Sequence, residues 1–197
     1  MGRTQTYVRA DVVRAARSVF WDQGYEGAAL PDLERVTGLS RSSIYHGFGS
    51  KRGLFDAAVD SYLDEVIRPR LAPLRAEDVA PAALGEYLSG LHAALMRPGS
   101  LPASSGCLLV NTAAAPIARD ETVARVVADY RAELRSAFGR GVAARRPELD
   151  EFERGLLADA CTGLVVSAFV LVRVDAAGAG DALQTALALV EGTTPTS

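Results

Sequence analysis

The sequence predicts an all-α protein with a small N-terminal three-helix helix-turn-helix unit and a larger helical domain after it. Apolar residues recur at helical spacing along almost the whole chain, and no stretch shows the period of two that a half-buried strand requires. Glycine and proline interrupt this pattern at intervals typical of helices. With 197 residues, of which 49% are hydrophobic, the chain can bury a sizeable core without disulfides.

Two helices are predicted before residue 40. The first ends at Gly24, which suits a C-terminal cap. In the second, Pro31 and Asp32 stand in the first turn, where a missing N–H is tolerated and negative charge is favoured, and Gly38 ends the helix. The apolar stripe of the first helix consists of Val8, Val12, Ala16, Val19 and Phe20.

A third helix is predicted from Arg41 to about Phe48, with Ser40 as its N-cap. The short turn around Gly38 is typical of a helix-turn-helix. The outer face of the third helix is polar and suits a major groove, because Arg can bind guanine, hydroxyls can bind bases or phosphates, and a Tyr ring can contact a thymine methyl. Lys51 follows at the next helix N-terminus, where an anion is favoured. The predicted DNA-binding residues are Arg41, Ser42, Ser43, Tyr45, His46 and Lys51.

The run VVRAARSVFWDQGYEGAALPDLERVTGLSRSSIYHGFGSKRGLF contains a Gly-Tyr pair, a Gly-Leu-Ser turn, an Ile-Tyr pair and a Phe-x-Ser-Lys step. In this order and spacing it resembles the DNA-binding domain of TetR-family regulators, over roughly residues 8 to 55. The resemblance implies that the third helix contacts an operator, with Lys51 on the phosphate backbone. Two departures affect contact detail: Ala28 and Ala29 stand where the family usually has Thr or Ser, and Gly47 stands where a ring or polar side chain is frequent.

Charge is distributed unevenly along the chain. Residues 1 to 55 carry eight Arg or Lys and five Asp or Glu, whereas the remainder carries 13 basic and 19 acidic residues. A basic front part and an acidic remainder are what a DNA-reading head on a body that does not bind DNA would show. We therefore divide the chain into a DNA-binding domain of residues 1–50 and a ligand-binding and dimerisation domain of residues 51–197.

The second part is predicted to contain six helices. Proline residues at 69, 98, 116 and 147 mark the predicted stops. The segment SGCLLVNTAAAPIARDETVARVVADYRAELRSAF is similar to the middle of one TetR subgroup, although Ala115 stands where that subgroup commonly has an acidic residue. The predicted helices cover approximately residues 51–68, 81–97, 106–115, 120–145, 149–174 and 181–191.

The helix of residues 149–174 is apolar on nearly every face and needs a partner surface. Two copies packing through the last two helices as a four-helix bundle would satisfy it, and the family resemblance implies the same homodimer. Such a two-fold dimer would place two recognition helices roughly 34 Å apart. A membrane span is the alternative for Gly155 to Val174, but Asp159 and Arg173 disfavour it, since charge inside a bilayer is costly.

A small, largely apolar effector is predicted to bind in the body and release the protein from DNA. Sparse polar side chains on Ala-, Leu- and Val-rich helices are typical of pockets that orient an apolar ligand. Cys107 could carry a stabilised thiolate that senses electrophiles, or could be an inert buried thiol, and the second reading is favoured. The predicted ligand-binding residues are Tyr62, His92, Met96, Cys107, Asn111 and Tyr130.

These patterns predict a ligand-responsive transcriptional repressor that binds a palindromic operator as a homodimer. The alternatives are an activator of the same family, or a helical ligand-binding protein without a DNA function. An enzyme is disfavoured, because the chain has two histidines, no Gly-rich phosphate loop and no Gly-x-Ser-x-Gly elbow. No catalytic residue, metal site or cofactor is predicted. The two cysteines lack metal-like spacing and the N-terminus lacks a long apolar run, so a cytoplasmic location is expected.

Overall fold

A computed structural model describes residues 8–192, and within that range the chain forms helices and turns without a strand. The predicted all-α fold is confirmed. The expectation that the chain begins without a signal peptide rests partly on residues 1–7, which lie outside the described residues. The helices are α1 (Arg9–Gly27), α2 (Leu30–Thr37), α3 (Arg41–Phe48), α4 (Lys51–Tyr62), α5 (Arg68–Leu71), α6 (Ala83–Leu95), α7 (Leu101–Ser105), α8 (Leu108–Ala113), α9 (Glu121–Arg145), α10 (Glu151–Leu171) and α11 (Ala176–Glu191).

Helices α2 and α3 begin and end where the sequence indicates, whereas α1 continues to Gly27, beyond the predicted end at Gly24. Gly24 interrupts α1 with φ +71°, and Gly38 ends α2 in the left-handed conformation with φ +68°. Both dihedral angles suit glycine because it has no Cβ. The side chain of Ser40 caps α3 by accepting a hydrogen bond from the backbone N of Ser43 at 3.3 Å. Ala29 stands at the N-cap of α2 and supplies no side-chain cap, as the sequence implies.

The fourth helix continues past the proline that was expected to end it. A π-helical turn (Leu63–Ile67) follows α4, and α5 then carries Pro69 in its first turn. In the π turn the backbone N of Arg68 donates to the carbonyl of Leu63, five residues back. This shift restarts the helix just before Pro69, so the missing N–H falls in a first turn, where no donor is needed. The prediction of a stop at Pro69 was therefore wrong.

The body differs from the prediction at two helix starts. The short helix α7, capped by the Ser100 side chain, was not predicted. The last helix begins at Ala176, five residues before the predicted start, because the Asp175 side chain accepts a hydrogen bond from the backbone N of Gly178 at 2.9 Å. The Ala- and Gly-rich stretch is thus the first turn of α11 and not a connecting loop.

The helices pack around a continuous apolar core. Where the head meets the body, the ring of Phe55 on α4 contacts the rings of Phe20 and Tyr25 on α1, each at 5.2 Å between centroids. In the body, α10 packs against α9 and α11, and α11 also packs against α6. By length and composition alone, α10 and the segment Leu101–Arg119 could each cross a membrane. In the fold, Val165 and Phe169 of α10 are buried against neighbouring helices.

Candidate nucleic-acid interface

The outer face of α3 presents four of the six predicted DNA-binding side chains to solvent. Arg41, Ser42, Tyr45 and His46 are all exposed, while Ile44 on the opposite side of the helix is fully buried. The guanidinium of Arg41 lies 5.6 Å from the centroid of the Tyr45 ring. One short helix therefore displays a cation, a hydroxyl, an aromatic ring and an imidazole side by side, the combination that a major groove can receive.

The other two predicted residues are more constrained. The hydroxyl of half-buried Ser43 lies 3.0 Å from the hydroxyl of Ser40, within the helix cap. The ammonium of Lys51 lies 4.7 Å from the centroid of the Tyr25 ring, and burial lowers the pKa of Lys51. Lys51 nevertheless occupies the first position of α4, where free backbone N–H groups favour a phosphate.

Two residues that were not predicted hold α3 in place. Glu34 on α2 accepts a hydrogen bond from the backbone N of Arg41 at the start of the helix. Arg9 donates to the carbonyl of Gly47 at 2.7 Å, and its guanidinium lies 4.2 Å from the Phe48 ring centroid at the end of the helix. Neither contact follows a helical period, so no pattern in the sequence could have indicated them.

A buried contact joins the head to the body. The indole N–H of Trp21 on α1 donates to the carbonyl of Gly106 at 3.0 Å, and the ring of Trp21 lies 4.8 Å from the ring of Tyr62. Beside it, the hydroxyl of Ser105 donates to Asp22 at 3.0 Å. A second row of side chains along α1 includes Val13 and Trp21, both buried, eight residues apart. That helical spacing could have indicated that α1 is covered on two sides.

Two polar contacts extend this junction. The backbone N of Ile117 donates to the carboxylate of Glu26 at 2.8 Å. Arg52, in the first turn of α4, forms an ion pair with Asp120 at 3.0 Å, and Asp120 caps α9. Because Arg52 follows α3 by four residues, this ion pair connects the chain just after α3 to the start of α9.

The ion pair makes stability depend on pH. The hydrogen bond from Arg52 holds the pKa of Asp120 at about 2, below its ordinary value of 3.8. A carboxylate whose pKa is lower in the folded state than in the unfolded state stabilises the fold at pH values above its unfolded-state pKa. This contribution disappears as the pH falls towards the pKa of the folded state. Asp120→Asn keeps the capping oxygen, since Asn also caps helices. We expect this variant to unfold at a lower urea concentration than the parent at pH 7, with the difference vanishing near pH 2.

Urea midpoints followed by circular dichroism at several pH values measure this effect. The control is Asp129→Asn, an exposed carboxylate on α9 that has no ion pair within residues 8–192. It should leave the midpoints unchanged. A deficit for Asp120→Asn that persisted undiminished to the lowest pH would contradict the assigned role of the charge.

The six predicted ligand-binding residues do not form one site. Tyr62, Cys107 and Tyr130 meet in the core, where the Cys107 thiol lies 3.7 Å from the Tyr130 hydroxyl. Burial raises the pKa of both tyrosines. Tyr130 also lines a small cavity of about 110 Å³ beside α10.

The remaining three lie elsewhere in the body. His92 and Met96 are next to Gly180 of α11, where both approach within 4 Å of the space that a Cβ would fill. The amide of Asn111 donates to the carbonyl of Ser105 at 2.6 Å. Asn111 thus supports the loop that receives Trp21. Within residues 8–192, no three His, Cys, Asp or Glu side chains are grouped so as to hold a metal ion.

Comparison with known proteins identifies the family to which this chain belongs. The family model described as "Bacterial regulatory proteins, tetR family" matches residues 12–58, which span α1 to most of α4. The HTH-type transcriptional regulator YezE of Bacillus subtilis is 33% identical over 142 residues, which are 72% of this chain and 72% of that protein. The chain belongs to the TetR family. It is a transcriptional regulator with a helix-turn-helix head, and members of this family are not enzymes.

Other TetR-family proteins extend the similarity to the body. The HTH-type transcriptional repressor ComR of Escherichia coli is 32% identical over 111 residues, which are 56% of this chain and 51% of that protein. A cysteine mutant of the TetR-family regulator CifR, solved in complex with 26-base-pair operator DNA, matches with a TM-score of 0.77 and 26% identity. That alignment covers 98% of this chain and 100% of CifR. The whole fold, and not the head alone, is therefore that of a TetR-family regulator.

Proposed function

We propose that this regulator is a homodimeric repressor, located in the cytoplasm, that binds a palindromic operator through α3 and is released from it by a small molecule. The observation that carries the DNA-binding part is the polar, exposed face of α3, on the side of the helix opposite the buried Ile44. The proposal of repression is supported by ComR, which is named a repressor. The division into residues 1–50 and 51–197 follows from the same reading, with the body supplying dimerisation and ligand binding.

The proposed dimer surface lies on the last two helices. Seven large hydrophobic side chains are exposed in the described part of the chain, and five of them lie on α10, on α11 or between them. Exposed apolar side chains in a continuous patch favour a protein partner. Because α10 and α11 are antiparallel neighbours, a second copy related by a two-fold axis would complete a four-helix bundle. The five residues are Phe152, Leu156, Val170, Val174 and Leu189.

The proposed release mechanism acts through α4. This helix packs against α1 in the head, and its Tyr62 contacts the buried cluster of Cys107 and Tyr130 in the body. An effector that prefers one packing of the body would shift the tilt of α4 and the separation of the two recognition helices. Cys107 is fully buried, which supports the reading of an inert thiol over an electrophile sensor.

Selection of DNA sites from a random library, followed by quantitative binding of variants, tests the proposed DNA function. We expect a palindrome to be enriched. Arg41→Ala should reduce the free energy of operator binding by about 1 to 3 kcal/mol and relax the sequence preference at one base position, because it removes contacts to a base edge. Lys51→Ala should lower the affinity for all DNA sequences alike, because it removes a phosphate contact. It should also reduce the salt dependence of binding by about one released counterion.

Arg97→Ala is the matched control, since Arg97 is exposed on the body, far along the chain from α3. It should change neither specificity nor affinity. Full retention of specific binding by both head variants would refute the role of α3. Absence of any selected sequence would instead favour a ligand-binding protein without a DNA function.

A further inference from the structure

A cavity of about 220 Å³ lies between α4, α8 and α9. Its walls are mostly apolar and include Phe55, Val59, Leu109 and Val126. None of the six residues that the sequence singled out for ligand binding lines it. A concave apolar space with a few polar groups at its edge is typical of a small-molecule site. The cavity is therefore a candidate site that differs from the buried tyrosine and cysteine cluster.

The polar edge of the cavity is negatively charged. Arg52, Asp56 and Asp60 line it, and the guanidinium of Arg52 is already engaged, at 2.7 Å from Asp56 and 3.0 Å from Asp120. Asp60 has no ion pair or side-chain hydrogen bond within residues 8–192. Partial burial, together with the carboxylates of Asp64 and Asp56, raises the pKa of Asp60. The edge thus offers an unpaired carboxylate next to apolar space.

The position of the cavity connects it to the recognition helix. One wall is α4, whose first turn follows α3 after two residues, and the other walls are α8 and α9 of the body. Arg52, which lines the cavity, also forms the ion pair with Asp120 at the start of α9. A molecule held there would contact both sides of the junction between head and body.

We propose that this cavity binds a small amphipathic amine, with its apolar part between Phe55, Val59 and Val126 and its ammonium at Asp60. The ammonium offsets the net negative charge of the edge, whose lining cation, Arg52, is already paired with Asp56 and Asp120. The apolar part of the amine fills space that water fills poorly. A carboxylic acid of the same shape would place a second negative charge beside Asp60. The role of such an amine as the effector rests on the proposed function, whereas its binding does not.

Isothermal titration calorimetry of the full-length protein with three matched probes tests the site. The probes are 4-phenylbutylamine, 4-phenylbutan-1-ol and 4-phenylbutyrate, which share an apolar part and differ in charge. We expect the amine to bind at least about tenfold more tightly than the alcohol, and the acid to bind most weakly. Equal affinities of the amine and the alcohol would overturn the proposal, as would the absence of binding by all three.

Two variants locate the site. Asp60→Asn should abolish the preference for the amine and leave the affinity for the alcohol unchanged. The matched control is Asp129→Asn, which removes an exposed carboxylate that has no ion pair within residues 8–192 and does not line the cavity; it should retain the preference. Val126→Trp should fill the cavity and weaken the amine and the alcohol together. Identical behaviour of the two aspartate variants would refute the assignment to Asp60.

A second measurement separates the site from its regulatory role. Saturating 4-phenylbutylamine should lower the affinity for the selected operator by about 5- to 150-fold, and saturating operator should lower the affinity for the amine by the same factor. Binding of the amine at Asp60 with unchanged operator affinity would leave the site intact and overturn its role as the effector site. A protein that bound the amine but no DNA would refute the proposed function and not the cavity.

Discussion

The double substitution Leu156→Glu and Val170→Glu is expected to produce a monomer whose operator affinity is lower by at least about 100-fold. The two side chains are 56% and 54% exposed and lie four turns apart on α10, so both would be buried in the proposed four-helix bundle. Burying an unpaired carboxylate costs far more than a bundle can compensate. Loss of the dimer removes one recognition helix from each complex, and specific binding depends on both half-sites.

Light scattering measures the mass of this variant, and fluorescence anisotropy measures its operator affinity. The control is Ala93→Glu, which adds the same charge at an exposed position on α6. It should remain dimeric and bind DNA normally. Val166, which is also on α10, is left unchanged because it is half-buried and lines the small cavity beside Tyr130, so its replacement would also disturb the protomer. A dimeric double variant with full affinity would exclude α10 from the interface.

The substitution Gly106→Ala is expected to destabilise the fold by about 3 to 5 kcal/mol, because a positive φ and a close contact act together. Gly106 has φ +64°, and a Cβ there would lie 2.3 Å from the carbonyl oxygen of Phe169 on α10. The backbone atoms of α10 cannot move without disturbing the core. The same glycine carries the carbonyl that receives Trp21, so the change falls at the junction of head and body.

The matched control is Gly99→Ala. Gly99 has a similar φ of +74°, but no atom lies within 4 Å of its Cβ position. Its substitution should therefore show the backbone strain alone, about 1 kcal/mol. Urea unfolding followed by circular dichroism at one protein concentration gives both free energies. Equal losses for the two variants would show that the contact with α10 has no energetic weight.

The head could be predicted from the sequence because its determinants are local. The caps at Ser40 and Gly38 and the apolar spacing of α1 are read from neighbouring residues, and the observed bounds of α3 agree with the predicted ones. The exposed face of α3 follows from the same periodicity. Two helix bounds in the body were missed although their causes are also local: the π turn carries the helix past Pro69, and the Asp175 cap starts α11 early.

The placement of side chains between distant segments was decided by tertiary structure alone. Tyr62, Cys107 and Tyr130 lie together in the core, whereas His92 and Asn111 face other neighbours. Helical periodicity states which side of a helix is buried and not which other helix covers it.

The cavity and the contacts between head and body could not be predicted from helical periodicity either. Arg52 and Asp120 are 68 residues apart, and the cavity beside them exists only where α4, α8 and α9 fail to fill the space between them. The sequence alone determined the helical class, the family and the exposed polar face of α3, because each depends on residues close together in the chain. Only the packed structure decided where an apolar space meets an unpaired carboxylate, because that depends on how three helices fit together.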